Sequence, residues 1–197
     1  MEDHSQHGEQ ATILAYFSGK HFGTFLDIGA NDGVSFSNTY ALHLSGWFGT
    51  YVDPSPAAFA ALRVNLPSVQ AFNVAIGPSD GEIELFESDE RSRRMVSTTI
   101  ASERDRWGAN RFESVKATQW TFATLLDRCQ HDQFDFISID AEGADLGIFQ
   151  QIDLTETSTS LVCVEHNGAS LAPFREHAAV HGLKQLSSNA CNVLFSR

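Results

Sequence analysis

The stretch Thr24 to Gly33, TFLDIGANDG, constrains this chain more than any other. It starts apolar at Phe25-Leu26, meets an acid at Asp27, and ends in Gly29-Ala30-Asn31-Asp32-Gly33, after which a helical pattern begins. A buried strand that runs through a glycine turn into a helix builds a nucleotide site at the carboxyl end of an α/β sheet. Glycine permits the sharp turn and lets a ligand approach the main chain. Only Gly29 and Gly33 are present, so the G-x-G-x-x-G dinucleotide fingerprint is incomplete.

The loop acids Asp27 and Asp32 oppose a pyrophosphate and suit a cationic ligand without phosphate. S-adenosylmethionine, with its sulfonium, amino group and ribose, meets that description better than a nicotinamide dinucleotide. The whole chain is acidic, with a formal charge of −12. That balance argues against a large phosphate-binding face, so nucleic acid is not expected as a partner. The basic residues Arg91, Arg93 and Arg94 sit beside Glu87, Asp89 and Glu90 and read as a solvated loop.

The chain suits one domain, residues 1–197. The 3 cysteines are widely spaced, without C-x-x-C, which disfavours a disulfide framework or a cysteine zinc site. The N-terminus is polar and acidic, and no apolar run reaches membrane-spanning length. A cytoplasmic setting away from membranes is the expectation; the oligomeric state is not readable.

Residues 1–8 read as a disordered tail. Apolar spacing predicts helices over Glu9–Ser18, Ser35–Ser45, Thr121–Cys129, Glu142–Ile152 and Ala172–His181, with Phe36, Tyr40 and Leu44 as the buried stripe of the second. A further helix starts at Ser55-Pro56, a cap followed by a first-turn proline. Strands are expected over Thr24–Ile28, Trp47–Val52, Val69–Val74, Glu82–Phe86, Phe134–Ile139 and Ser160–Val164. The pair Leu183–Leu186 and Val193–Phe195 closes the sheet, with a possible extra strand at Val115–Thr118. Together these give a doubly wound, Rossmann-like, seven-stranded, mostly parallel sheet with an antiparallel last strand and a small insertion in the middle. Within that insertion, residues 87–112 are polar and aperiodic and read as a flexible flap over the site.

In such a sheet, ligands bind beyond the carboxyl ends of the strands. The polar residues at those ends are the glycine loop, Asp53, Asn73, Asp140 with Glu142, and Glu165-His166-Asn167. Asp53 has the lone pairs to accept both ribose hydroxyls, although it could instead cap the helix at Pro56. Asp140 follows a buried run, so its charge must face a cleft or a partner; it is placed near the sulfonium or the acceptor. Glu142 near a helix start is also explained by the dipole alone. His166 is the candidate general base, against the bland reading of a hydrogen-bonded structural histidine. Asp140, Glu142, Glu165 and His166 have the number to hold a divalent metal, but their spacing is not diagnostic, and no metal is assigned.

The stretches FLDIGANDGVSFSNTYAL, GWFGTYVDPSPAAFAALRVNLP, NVAIGPSDGEIELF, DFISIDAEGADLGIFQQIDL and LVCVEHN run in order across Phe25 to Asn167. In combination they resemble the FkbM-type methyltransferases, a class I S-adenosylmethionine-dependent family. The resemblance implies that Asp27, Gly29, Asn31 and Gly33, with the intervening Ala30, line the cofactor loop. It implies that Asp53 holds the ribose and that Asn73 and Ala75 lie near the adenine. Ser37, Asn38 and Thr39 match a segment that opens the first helix. Asp140, Glu142 and Gly143 match an acidic motif, and Glu165, His166 and Asn167 a later strand end. The family usually carries Glu where Asp53 and Asp145 stand, which shortens reach and keeps charge.

The resulting expectation is O-methylation of a hydroxyl on a small molecule, a sugar or secondary metabolite. In it His166, Asp140 and Glu142 are catalytic, while Glu165, Asn167 and Ser37 contact the acceptor. The alternative is a non-catalytic binding module that keeps the fold.

Overall fold

The computed structural model describes residues 2–88, 97–107 and 112–197. Its first elements are α1 (Glu9–Tyr16), β1 (Thr24–Ile28), α2 (Tyr40–Leu44), β2 (Phe48–Val52), α3 (Pro56–Asn65) and β3 (Gln70–Phe72). The insertion holds β4 (Ala75–Ile76), β5 (Gly81–Ser88), β6 (Ser97–Thr98), α4 (Ala101–Trp107) and β7 (Phe112–Trp120). The second half holds α5 (Phe122–Leu126), β8 (Phe136–Ile139), α6 (Asp145–Phe149), β9 (Leu161–Glu165), α7 (Ala172–Val180), β10 (Lys184–Ser188) and β11 (Asn192–Ser196).

The main sheet has seven strands in the order β10-β11-β9-β8-β1-β2-β3. Strand β1 sits inside it with parallel neighbours, β2 on one side and β8 on the other. Chain order reverses between β1 and β8, so a crevice opens beyond the carboxyl end of β1. Strand β11 runs antiparallel to both β9 and β10, as expected of the last strand.

Pleating sorts the strand residues into two apolar layers. Leu26, Ile28, Ile137, Ile139, Val162 and Val164 pack into one cluster with Phe149, Phe174 and Phe195. Phe25, Phe136, Leu161 and Cys163 face the other cluster with Ile13, Phe17, Trp47 and Tyr51. Asp27, Ser138 and Cys163 lie in one register row across three adjacent strands, on this second face. The row is covered by the segment before α2: Asn38 Nδ2 donates to Ser138 Oγ at 3.3 Å, and Thr39 Oγ1 donates to Asp27 Oδ2 at 2.6 Å.

That segment is where periodicity misleads. The expected helix over Ser35–Ser45 begins only at Tyr40. Phe36 has φ +56° and is 52% exposed, and Leu44 is 56% exposed, so neither joins a buried stripe; Ala41 and Leu42 take that role. Ser37 Oγ accepts from the Thr39 and Tyr40 amides and competes with a helical turn at this point. Likewise the helix expected from Glu142 starts at Asp145, and Glu142 lies in the preceding turn at φ +48°, so the helix dipole does not explain it.

Strand β5 pairs antiparallel with β7 along its length, and β4 and β6 complete a second sheet in the order β4-β7-β5-β6. The strand expected at Val115–Thr118 is the middle of β7. Its partner β5 has a wet amino half, with Glu82 and Glu84 exposed, and a buried carboxyl half from Leu85 to Ser88. Part of the expected flap, including Arg91, Arg93 and Arg94, lies outside the described residues; its described parts form the end of β5, β6, α4 and the start of β7.

Residues 2–8 turn back onto α1 through Gln10, whose Oε1 accepts from the His4 amide at 2.9 Å and whose Nε2 donates to the Glu2 carbonyl at 2.7 Å. Buried Glu9 then accepts from the side-chain amides of Asn189 and Asn192, both at 2.7 Å, and ties α1 to the start of β11. Among the described residues no helix is long and apolar enough to cross a membrane.

Candidate functional site

The glycine loop is fastened by backbone bonds. The Gly29 and Ala30 amides donate to the Val52 carbonyl at 2.8 and 3.1 Å, and the Gly33 amide donates to Ala30 at 2.8 Å. Gly29 has φ +84°, and a Cβ there would stand 1.6 Å from the Asp140 carbonyl oxygen, so no other residue fits this turn. Gly33, at φ +77°, is left-handed too and serves packing as well. A Cβ there would meet Leu66 Cδ1 at 2.7 Å, and its absence lets the loop close onto α3. Asp32 caps the turn by accepting from the Val34 and Ser35 amides at 2.9 and 2.7 Å.

Asp53, just past β2, accepts the Asn31 amide on Oδ2 at 2.7 Å and the Ser55 amide on Oδ1 at 2.9 Å. Ser55, not Asp53, caps α3, since its hydroxyl accepts from the Ala58 amide at 3.1 Å. Each Asp53 oxygen therefore keeps a lone pair for a ligand. Burial pushes its carboxyl up to about 6 against those two amide bonds, with Glu87 and Asp32 adding like charge. Asp27 is pushed up to about 7, first by burial and then by Asp53, against the Thr39 hydroxyl bond.

A second group of acids gathers at the ends of β8 and β9. Asp140 follows Ile139, which pairs with Val164, so Asp140 and Glu165 stand side by side at the sheet edge. The turn after Asp140 wraps onto Asp145, whose Oδ1 accepts from the Ala141 amide at 2.6 Å and whose Oδ2 accepts from the Gly143 amide at 2.9 Å. Burial raises Asp145 to about 6 despite these bonds. Asp140 and Glu165 are both pushed well up, by burial first and then by the surrounding carboxylates.

Both groups reach one cavity of about 290 Å³, while Asp145 lines a second one. Asp27, Gly29, Ala30, Asn31, Asp53 and Ala75 line one part of it, and Ser37, Asp140, Glu142, Glu165 and Asn167 the other. Val52, Pro54, Ala58, Val74 and Ile76 give it an apolar wall. Among the described residues, no lysine or arginine lines it.

Three residues expected in the wall are elsewhere. Gly33 packs on α3, and Asn73 Nδ2 donates to the Asp53 carbonyl at 2.8 Å, which makes Asn73 a support for Asp53. His166 lies outside the main cavity, beside a second one shared with Asp145 and Gly168. Its Nδ1 accepts from the Gly168 amide at 3.1 Å, and its Nε2 stands 3.2 Å from the Asn189 carbonyl, to which it donates. With both nitrogens engaged by the backbone, the ring has no lone pair to offer an acceptor, which favours the structural reading of this histidine.

Sequence reasoning missed Gln6 and His7 from the amino-terminal segment, Leu85, Ser97 and Thr99 from the insertion, and Cys191 before β11, all in the cavity wall. None carries a local signal; they reach the site only because α1 and the insertion fold over it. Thr98 Oγ1 donates to the Glu142 carbonyl at 2.8 Å, and a Cβ on Gly143 would meet Glu103 Cγ at 2.7 Å. The insertion is thus laid directly on the acidic turn.

A mainly parallel sheet in this order, with a glycine loop after its first strand and an acid after its second, is the class I Rossmann-like methyltransferase fold. The family model of the methyltransferase FkbM domain matches residues 27–183, and the chain belongs to that family. Its methyl donor is S-adenosylmethionine, as in the class.

Among solved structures, the ribosomal protein L11 methylase of Lactobacillus delbrueckii subsp. bulgaricus aligns with TM-score 0.51 at 12% identity, over 95% of this chain and 76% of that one. The C-terminal domain of precorrin-6Y C5,15-methyltransferase from Rhodobacter capsulatus aligns with TM-score 0.50 at 12% identity, over 95% of this chain and 86% of that one. At such identity the likeness is one of fold, and the two differ in what they methylate. Comparison with curated proteins by sequence gave no match.

Proposed function

We propose that this methyltransferase transfers the methyl group of S-adenosylmethionine to a hydroxyl of a small, uncharged metabolite such as a sugar or a secondary product. The observation that carries this reading is the charge of the cavity: its charged lining groups are carboxyls, set beside amides, hydroxyls and an apolar wall, with no lysine or arginine among the described residues. Such a wall attracts a sulfonium and accepts hydroxyl donors, and it repels phosphate. Nucleic acid is therefore disfavoured as acceptor.

In this reading Asp53 takes the ribose hydroxyls, Val74, Ala75 and Ile76 face the adenine, and the loop from Asp27 to Asn31 holds the methionyl end. Asp140 and Glu142 stand towards the acceptor, with Ser37, Glu165 and Asn167 as hydrogen-bonding groups around it. His166 holds the Asn167-Gly168 turn in place. During transfer a lone pair of the acceptor oxygen forms the bond to the methyl carbon. The carbon–sulfur bond breaks towards sulfur, and the hydroxyl proton leaves to a carboxylate or to water. The donor is already activated, so alignment and exclusion of water supply most of the rate.

Calorimetric titration with S-adenosylmethionine and, separately, NAD tests the donor half, with saturable heat expected for the first alone. Radiolabelled methyl transfer to a panel of hydroxylated sugars and metabolites tests the acceptor half. Donor binding without transfer to any hydroxyl, or transfer to an amine or carbon instead, would overturn the O-methylation reading. A molecule that binds the donor yet transfers methyl to nothing would be the binding module.

A further inference from the structure

Asp140, Asp145 and Glu165 each offer a carboxylate oxygen, and these oxygens all lie within 4.8 Å of one another. Among the described residues, none of the three has a lysine, arginine or histidine partner. Glu165 is only 5% exposed, and its Oε2 has no hydrogen-bond partner. An ionised carboxylate in that position, with two more beside it, demands a compensating positive charge.

Two solutions exist. A proton shared by Asp140 and Glu165 would quiet that pair. It would leave Asp145 unaccounted for, because both Asp145 oxygens are aimed by the Ala141 and Gly143 amides, which favour its charged form. A cation answers to all three at once. Oxygens about 2.0–2.6 Å from a common hard cation lie within about 5 Å of one another, which the cluster satisfies. A donor set made only of carboxylate oxygens selects magnesium, manganese or calcium over softer metals.

We propose that Asp140, Asp145 and Glu165 bind one hard divalent cation, of the magnesium or manganese kind, at the junction of the main cavity and the second one. Glu165 lines both cavities, so the ion is reachable from the acceptor side. Its purpose rests on the O-methylation reading: an acceptor hydroxyl bound to the ion loses its proton more readily and is held in register with the donor. That removes the need for a histidine base, which the engagement of His166 leaves unfilled.

The test is titration of the purified, chelator-treated chain with Mn²⁺, followed by electron paramagnetic resonance of the free ion. One Mn²⁺ per chain is expected, displaced by excess Mg²⁺. Glu165→Gln and Asp140→Asn should each weaken binding at least about tenfold. Asp53→Asn, at the other end of the cavity, should leave it unchanged. Circular dichroism and melting curves establish that each variant is folded. Absence of saturable binding, or binding that Glu165→Gln and Asp140→Asn leave intact, would overturn the site and assign the pair a shared proton. S-adenosylmethionine titration of the same cation-free protein reports on the methyltransferase reading separately, so failure of one is not mistaken for failure of the other.

Discussion

The two acid groups on this cavity are built differently. At the donor end, Asp53 accepts two backbone amides and Asp27 accepts a threonine hydroxyl, so each carboxyl is oriented before any ligand arrives. At the end proposed for the acceptor, Asp145 is equally well held, but Glu165 leaves an oxygen buried and unpartnered. A satisfied carboxyl is a fixed template, whereas an unsatisfied one lacks a component. In the proposed reading the donor end would therefore serve one invariant ligand, and the acceptor end would be completed by what binds there.

The severest way to break that division is to strike where the two ends touch. Gly29→Ala places a methyl group on the Asp140 carbonyl in a left-handed turn, and should destabilise the fold by about 4 kcal/mol or more. Denaturant unfolding measures it; a change under about 1 kcal/mol would show that the loop can move away.

Asp53→Ala should act on one end only. It orphans the Asn31 and Ser55 amides and removes the proposed ribose acceptor, so affinity for S-adenosylmethionine should fall at least about tenfold, or about 1.4 kcal/mol. Unchanged affinity by calorimetry would remove Asp53 from the ribose.

The pH dependence of stability sharpens the same contrast. Asp27 is pushed up to about 7 from an ordinary value of 3.8, so in the ligand-free fold it keeps a proton that the unfolded chain releases. The unfolded chain then binds fewer protons, and stability is full below the unfolded value and declines as pH rises through the folded one. Ligand-free protein should lose about 2–4 kcal/mol between pH 4 and 7 from this group. Asp27→Asn should flatten that slope in urea melts, and an unchanged slope would assign it to other groups.

His166→Ala removes two backbone contacts and should lower stability by about 1 kcal/mol, while the pH profile of turnover stays in place. A fall in turnover of about a hundredfold, with melting unchanged, would restore the histidine as a base. The smallest effect is expected from Thr98→Val, which removes one hydrogen bond to the Glu142 carbonyl. It should raise the KM for acceptor, at about 0.5–1 kcal/mol, without altering donor affinity. Weakened donor binding in this variant would mean that the insertion supports both ends.

The sequence carried the sheet and the glycine turn after its first strand, because both are written locally. Buried strand runs, the glycine loop, the Ser55-Pro56 cap and the acid after β2 are each short and contiguous. The errors came where side chains bond to their own backbone. Ser37 and Asp145 each gather nearby amides and hold a turn in a stretch whose apolar spacing reads as helix. Asp145 was legible only as a departure from a family pattern, since nothing in its position five residues after Asp140 reveals that the turn folds both onto Glu165. Nor does the sequence show that Gln6, Leu85 or Thr99 reach the cavity, because that depends on how the termini and the second sheet are laid over the first.

The closeness of Gly29 to the Asp140 carbonyl has a geometric meaning for the reaction. The glycine loop and the acidic turn rest against each other main chain to main chain, so in the proposed reading the gap that the methyl group must cross would be gauged by the backbone. Under that reading, the side chains beyond the acidic turn could change which molecule is admitted while the length of the methyl group's journey stays the same.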